Sequence, residues 1–183
     1  MGPLIGYPKT ICHSRTLLIA TDFSFSSTSV LDWAAQNLTK NGDHIIIIHS
    51  IQDVYSGSVV YHDDVSYCSD IDEATHISND INFAQVEMES ATSFLKECVY
   101  GFEKSLIASN VTDYSIQKVV SNGPPGPVIV AKAEEYNPDM IVIGTNGRTM
   151  LSELIMGSVS SYVSCHFKQC PIIMIQCHSA KEE

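Results

Sequence analysis

The chain has 183 residues, of which 44% are hydrophobic and 17% charged, and its formal net charge is −11. This length suits one domain with a buried core, and no uninterrupted apolar run is long enough to span a membrane. Proteins that bind nucleic-acid phosphates need a basic surface, so the charge argues against nucleic acid as a partner. The scattered cysteines, without a C-x-x-C pair or a secretory signal, predict reduced thiols and a cytoplasmic location.

The first elements read as a strand, a helix and a second strand. Residues 15–24, RTLLIATDFS, form a short apolar run that ends at Thr21 and Asp22, which predicts a buried strand followed by a loop. Apolar residues then recur at helical spacing and end near Asn41-Gly42. Residues 44–51, HIIIIHSI, contain four consecutive β-branched residues, a pattern typical of a strand buried on both faces of a parallel sheet.

Most of the negative charge lies in the middle of the chain. Between Lys40 and Lys96 there is no Lys or Arg, whereas ten acidic residues fall there; the remainder holds eleven acids and ten bases. Residues 53–82 are rich in Ser, Asp, Tyr and Gly and show no sustained hydrophobic period. We therefore predict a single domain over residues 1–183 that contains an acidic, flexible insert at about 53–82.

Regular periodicity returns after the insert. The pattern predicts a long amphipathic helix from Phe83, then a strand, a turn, a helix, a strand, a glycine-containing loop, a helix and a last strand. The first helix covers 83–109, the strand 114–121, the turn 122–127, the next helix 128–137 and the next strand 139–145. The glycine-containing loop covers 144–158, the last helix runs from about Leu151 or Gly157 to Phe167, and the last strand covers 171–176.

Strands that alternate with helices require crossover connections. The predicted fold class is therefore α/β, with a doubly wound, five-stranded parallel sheet and helices on both faces. Ligands of such sheets bind beyond the carboxyl ends of the strands, near the point where the strand order reverses. Asp22, the residues after Ile48 and the glycines after Ile143 all follow strands at that edge.

The loop at 144–158, GTNGRTMLSELIMGS, has glycines at unusual spacing. It lacks the Gly-Lys pair of a Walker A loop, and no G-x-G-x-x-G follows the first strand. Gly144 and Gly147 would let the backbone approach a phosphate closely. Gly157 and Ser158 could begin a helix whose N-terminal amides attract an anion. The alternative is that these are two unrelated turns beside a short helix.

Read with LLIATDFS at the start and CPIIMIQ at the end, this loop resembles the universal stress protein family. ATP-binding members of that family carry Gly, two residues, Gly, nine residues, Gly, and then Ser or Thr, and this chain keeps every glycine. The likeness extends over about 15–176 and includes HSI after the second strand and GPP at 123–125. It implies a Rossmann-like fold of the nucleotide α-hydrolase type.

The resemblance also implies which residues would bind the nucleotide. The residues expected around the adenosine, ribose and phosphates are Ala20, Thr21, Asp22, Ser50, Ile143, Gly144, Gly147, Arg148, Gly157, Ser158, Val159 and Ser160. Backbone groups around Ser50 would read the adenine edge, although the family usually has Val there. The hydroxyls of Ser158 and Ser160 would be further phosphate donors.

Several of these side chains have simpler interpretations. Arg148 could pair with phosphate or be a solvated loop cation, and Asp22 could bind the ligand or act as a helix cap. His49, at the end of a strand, is interpreted as a packed or capping residue rather than a catalytic base. No catalytic residue can be assigned from spacing.

The functional hypothesis that follows is an ATP-binding stress-response protein that works as a nucleotide-dependent switch or interaction module. The expected cofactor is ATP, with AMP or ADP as alternatives, accompanied by Mg²⁺ or Mn²⁺. The resemblance implies a second copy as the partner, because dimers of the family form through the last strand, and the apolar run Ile172 to Ile175 would otherwise leave an exposed edge. The alternatives are a slow, metal-assisted ATPase and a structural or interaction dimer that binds no nucleotide.

Overall fold

A computed structural model describes the backbone of residues 15–51, 73–145 and 156–176, and the side chains of the same ranges except 73–85. Strands and helices alternate along these ranges. In chain order the elements are β1 (Arg15–Ala20), α1 (Phe25–Asn37), β2 (Asp43–Ile51), α2 (Glu73–Ala108), β3 (Tyr114–Asn122), α3 (Pro125–Tyr136), β4 (Met140–Gly144), α4 (Ser158–His166) and β5 (Ile172–Ile175).

The five strands form one sheet in the order β3-β2-β1-β4-β5, and every neighbouring pair is parallel. The predicted fold class is confirmed. The four isoleucines of β2 are all buried, and they alternate between two cores. Ile45 and Ile47 pack on the side of α1 and α2, whereas Ile46 and Ile48 pack on the side of α3 and α4. Burial on both faces explains the uninterrupted apolar run.

The strand order reverses between β1 and β4. The chain first adds β2 and β3 on one side of β1, and it then crosses back to add β4 and β5 on the other side. In doubly wound sheets the crevice in which ligands bind lies beyond the carboxyl ends of the two strands at this switch point, which are β1 and β4 here.

Two boundaries differ from the sequence prediction. Helix α2 begins at Glu73, so residues 73–82 are helical and are not part of an irregular insert; residues 53–72 lie outside the described ranges. No Gly or Pro interrupts the sequence between Glu73 and Gly101, which allows the helix to continue although the apolar period is weak there. Helix α3 begins at Pro125, inside the predicted turn, because Pro is compatible with the first helical position.

The last helix begins at Ser158, in agreement with the prediction of a start near Gly157. The alternative start near Leu151 falls on residues outside the described ranges. Within 15–51, 73–145 and 156–176, no helix has the length and hydropathy of a membrane span.

Candidate functional site

The loop after β1 is tied to β2 and to the start of α1. The Thr21 amide donates to the carbonyl oxygen of Ile48 over 2.9 Å. Asp22 Oδ1 accepts hydrogen bonds from the Ser24 amide, at 3.0 Å, and from Ser24 Oγ, at 2.5 Å. Ser24 itself is the N-cap of α1, since its Oγ accepts from the Ser27 amide. Asp22 is therefore not the cap, but it orients the residue that is.

Ser50 lies near the end of β2, in the part of that strand that extends beyond the end of β1. The Ile48 carbonyl faces β1, whereas the Ile51 carbonyl accepts from the Gly123 amide on the β3 side. Peptide groups alternate between the two neighbouring strands, so those of Ser50 turn toward the β1 side. The last residue of β1 paired with β2 is Ala20, opposite Ile48. The amide and carbonyl of Ser50 consequently border the space beyond the end of β1.

The Ser50 side chain points the other way. Its Oγ donates to the Gly123 carbonyl oxygen over 2.5 Å. Gly123 has a φ of +125°, a conformation that favours glycine because a Cβ would be strained there. The Ser50 hydroxyl thus fixes the Gly-Pro-Pro turn before α3, while the backbone of Ser50 faces the crevice.

The end of β4 is bound directly to the start of α4. The Thr145 amide donates to Ile175 in β5 over 3.0 Å, and the Thr145 carbonyl oxygen accepts from the Gly157 amide over 3.0 Å. The approach is so close that a Cβ added at Gly157 would lie 2.6 Å from the Thr145 carbonyl oxygen. Only glycine lets the chain return to β4 at this point.

Helix α4 points its amino end toward this edge of the sheet. Its first intrahelical bond runs from the Ser161 amide to the Gly157 carbonyl, so the amides of Ser158, Val159 and Ser160 occupy the first turn, where helix N–H groups point outward. No side-chain cap bond is present at Gly157. Aligned first-turn amides favour an anion.

The hydroxyl of Ser160 does not share this orientation. Ser160 is 1% exposed, and its Oγ donates to the Gly157 carbonyl oxygen over 2.9 Å. In this structure the amide of Ser160 faces the crevice. Its hydroxyl, which the sequence predicts as a phosphate donor, does not. Ser158 is exposed, and Val159 is half-buried.

Strand register brings the β1 and β4 parts of the site together. Ile19 pairs with Val142, so Ala20 is level with Ile143 and Thr21 with Gly144 on strands about 4.8 Å apart.

The predicted site residues differ in exposure. Ala20, Thr21 and Ile143 are buried, whereas Asp22, Ser50, Gly144 and Gly157 are half-buried. Gly147 and Arg148 lie outside the described residues.

Two residues beside the site, His49 and Phe23, pack against each other. His49 is buried, as its interpretation as a packed residue requires, and its ring stacks on Phe23. Phe23 has a φ of +60°. Residues with large side chains rarely adopt the left-handed region, so the sequence carried no signal for this turn.

No cluster of three or more His, Cys, Asp or Glu side chains suited to a metal ion occurs in the described parts of the chain.

Comparisons with known proteins agree with this architecture. The family model described as "Universal stress protein family" matches residues 13–176. A universal stress protein of Synechocystis sp. is 32% identical over 90 residues, which cover 49% of this chain and 83% of the relative.

Two solved structures share the fold. A universal stress protein family protein from Arabidopsis thaliana, solved with AMP bound, aligns with a TM-score of 0.53 at 16% identity and covers 92% of this chain and 94% of its own. A universal stress protein from Archaeoglobus fulgidus in complex with dAMP aligns with a TM-score of 0.53 at 20% identity. The alignment covers 87% of this chain and 96% of the Archaeoglobus chain. With the family model spanning most of its length, the chain belongs to the universal stress protein family.

Proposed function

We propose that this protein binds ATP in the crevice between β1 and β4 and acts as a nucleotide-dependent switch or interaction module in stress response. The Arabidopsis and Archaeoglobus proteins were solved with AMP and dAMP, which supports an adenine nucleotide as the ligand class. The spacing Gly144, Gly147, Gly157, Ser158 supports a triphosphate, because it resembles the ATP-binding members of the family.

The observation that carries the proposal is the junction of β4 with α4. The 3.0 Å bond from Gly157 to Thr145 holds the first turn of α4 at the carboxyl edge of the sheet, where its amides can donate to phosphate oxygens. Across the crevice, the amide and carbonyl of Ser50 would pair with the adenine edge. Asp22, at the end of β1, lies between these two positions and would meet the ribose.

The protein would supply backbone donors rather than charge for the phosphates. Gly147 and Arg148 would add a close backbone approach and a cation to the triphosphate. A bound Mg²⁺ or Mn²⁺ would neutralise phosphate charge, and the protein would contribute at most a few carboxylate ligands. Binding without an assigned general base suits a switch better than rapid hydrolysis.

Isothermal titration calorimetry with ATP, AMP and GTP, with and without Mg²⁺, tests this function. We expect ATP to bind with a Kd on the order of micromolar, or about −8 kcal/mol, and GTP to bind at least tenfold more weakly. A phosphate-release assay on the same sample should show no turnover above background. Absence of heat with every nucleotide would refute the proposal, and steady phosphate release would replace the switch with a slow ATPase.

We also propose that two copies pair through β5, which with β3 is one of the two edge strands of the described sheet. The Pro171 carbonyl accepts a hydrogen bond from Ile141 of β4, and the Ile175 carbonyl accepts one from Thr145, just after β4. The peptide groups of Ile172 and Met174 therefore point away from β4. Such an edge invites pairing with another strand.

Substituting Met174→Pro tests this dimer. Proline removes one N–H from the open edge and spares the hydrogen bonds to β4. Sedimentation velocity should show a dimer for the wild-type protein and a monomer for the variant, with an unchanged circular dichroism spectrum. A wild-type monomer, or a variant that remains dimeric, would contradict pairing through β5.

A further inference from the structure

His49 lies beside the loop that carries Thr21 and Asp22, although the proposed binding scheme does not use it. The residue is 9% exposed, and its Nδ1 lies 2.9 Å from the carbonyl oxygen of Thr21. A carbonyl oxygen only accepts hydrogen bonds, so Nδ1 carries the proton and donates it. The side chain shares the α1 and α2 face of β2 with Ile45 and Ile47, because successive residues alternate between faces.

This hydrogen bond fixes the peptide group that joins Thr21 to Asp22. The peptide group is planar, so a Thr21 carbonyl held toward His49 turns the Asp22 N–H to the opposite side. The preceding peptide is fixed as well, since the Thr21 amide donates to Ile48. Both peptide groups that flank Thr21 are therefore bonded to β2. These bonds fix the direction in which the backbone enters Asp22.

Phe23 completes the arrangement. Its ring stacks on the His49 ring with the centroids 3.8 Å apart and the planes inclined by 25°. The φ of Phe23 is +60°, a strained value for a residue with a Cβ, and such strain persists only where the surroundings hold it. Phe94 of α2 lies against Phe23 with the centroids 5.9 Å apart, so the stack is held between β2 and α2.

We propose that His49 is a positioning residue of the nucleotide site. Its Nδ1–H bond to the Thr21 carbonyl sets the loop that presents Asp22 to the adenosine, and the stacked Phe23 ring holds the imidazole in the donating orientation. This inference rests on the proposed function, because it assigns His49 a role in the same site. His49 acts through the Thr21–Asp22 peptide and needs no contact with the ligand.

Two substitutions separate the hydrogen bond from the packing. His49→Asn keeps an N–H donor close to the position of Nδ1 and loses the ring, whereas His49→Phe keeps the ring and loses the donor. His44→Phe is the matched control. His44 lies at the other end of β2, where its Nδ1 is 2.6 Å from Ser115 Oγ, so this variant loses a histidine hydrogen bond far from the site.

ATP affinity is measured by calorimetry for each variant at a temperature where circular dichroism shows it folded. We expect His49→Phe to bind about tenfold more weakly, whereas His49→Asn and His44→Phe stay within about threefold of the wild type. All three should lower Tm, because each loses native contacts. A purely structural His49 would give affinity losses that follow Tm. Near wild-type affinity in His49→Phe, or equal losses in both His49 variants, would overturn the proposal.

Hydrogen exchange in the nucleotide-free protein separates this inference from the proposed function. We expect the amides from Asp22 to Ser24 to exchange at least about fivefold faster in His49→Phe than in His49→Asn. Equal exchange in the two variants would overturn the role of the hydrogen bond. If the wild-type protein binds no nucleotide, the proposed function fails, while the exchange rates still decide whether His49 holds the loop.

Discussion

Replacing Gly157 by alanine is expected to weaken ATP binding at least about tenfold and to lower the free energy of unfolding by about 1–3 kcal/mol. The new Cβ would lie 2.6 Å from the Thr145 carbonyl oxygen, a backbone atom that cannot move aside as a flexible side chain would. The chain must separate there, which breaks the Gly157–Thr145 hydrogen bond and displaces the first-turn amides of α4. Calorimetry with ATP and urea denaturation measure the two effects.

Gly101→Ala provides the matched control. Gly101 lies inside α2, and a Cβ added there meets nothing within 4 Å. Alanine in a helix interior is about 0.5–1 kcal/mol more favourable than glycine, so this variant should gain stability and bind ATP like the wild type. Wild-type ATP affinity in folded Gly157→Ala would exclude the start of α4 from the site, because the substitution cannot leave that turn in place.

The second large effect is expected at the amino ends of β1 and β2, at the other end of the strands from the candidate site. Asp43 is fully buried, and its carboxylate accepts bonds of 2.9 Å from both Arg15 Nε and Arg15 Nη2 and a bond of 2.7 Å from the Lys40 amide. The hydrogen bonding of Arg15 to the Asp43 carboxylate, which accepts, is also the main reason that the pKa of Arg15 is raised above its ordinary value. The pair joins the first residues of β1 and β2, which lie opposite each other in the sheet.

Asp43→Ala should therefore lower the free energy of unfolding by about 3–5 kcal/mol, because it leaves a partly buried guanidinium without its carboxylate. Urea denaturation followed by circular dichroism measures this loss. The proposed nucleotide site lies at the carboxyl ends of the strands, so the ATP affinity of the folded protein should not change. A loss below about 1 kcal/mol would contradict the role assigned to the buried pair.

Glu135→Ala is the comparison for this measurement. Glu135 pairs with Lys132 over 2.7 Å, but its side chain is 52% exposed, and exposed pairs contribute about 0–1 kcal/mol. The two ion pairs have similar N–O distances, but Asp43 is buried and accepts three hydrogen bonds, whereas Glu135 is exposed and accepts one from Lys132. A large difference between the two variants would therefore assign the stability of the Arg15–Asp43 pair to its buried and multiply bonded carboxylate.

The sequence by itself determined the order of elements, and it predicted the region of the candidate site. The run Ile45 to Ile48 indicated a strand buried on both faces, and alternation of strands and helices required crossovers, so a parallel sheet followed from local pattern alone. The glycine spacing and the residues after β1 indicated the edge where a ligand would bind. These features could be predicted because each depends on residues close together in the chain.

Tertiary structure decided how those residues are oriented. Arg15 and Asp43 are 28 residues apart, as are Thr21 and His49, and no local pattern specifies either contact. The same holds for Ser50 Oγ, which bonds to Gly123 from 73 residues away. Sequence indicated which side chains lie at the carboxyl edge, but pairing of distant strands decided which polar atoms face the crevice and which hold its loops, because those atoms meet only after the sheet has formed.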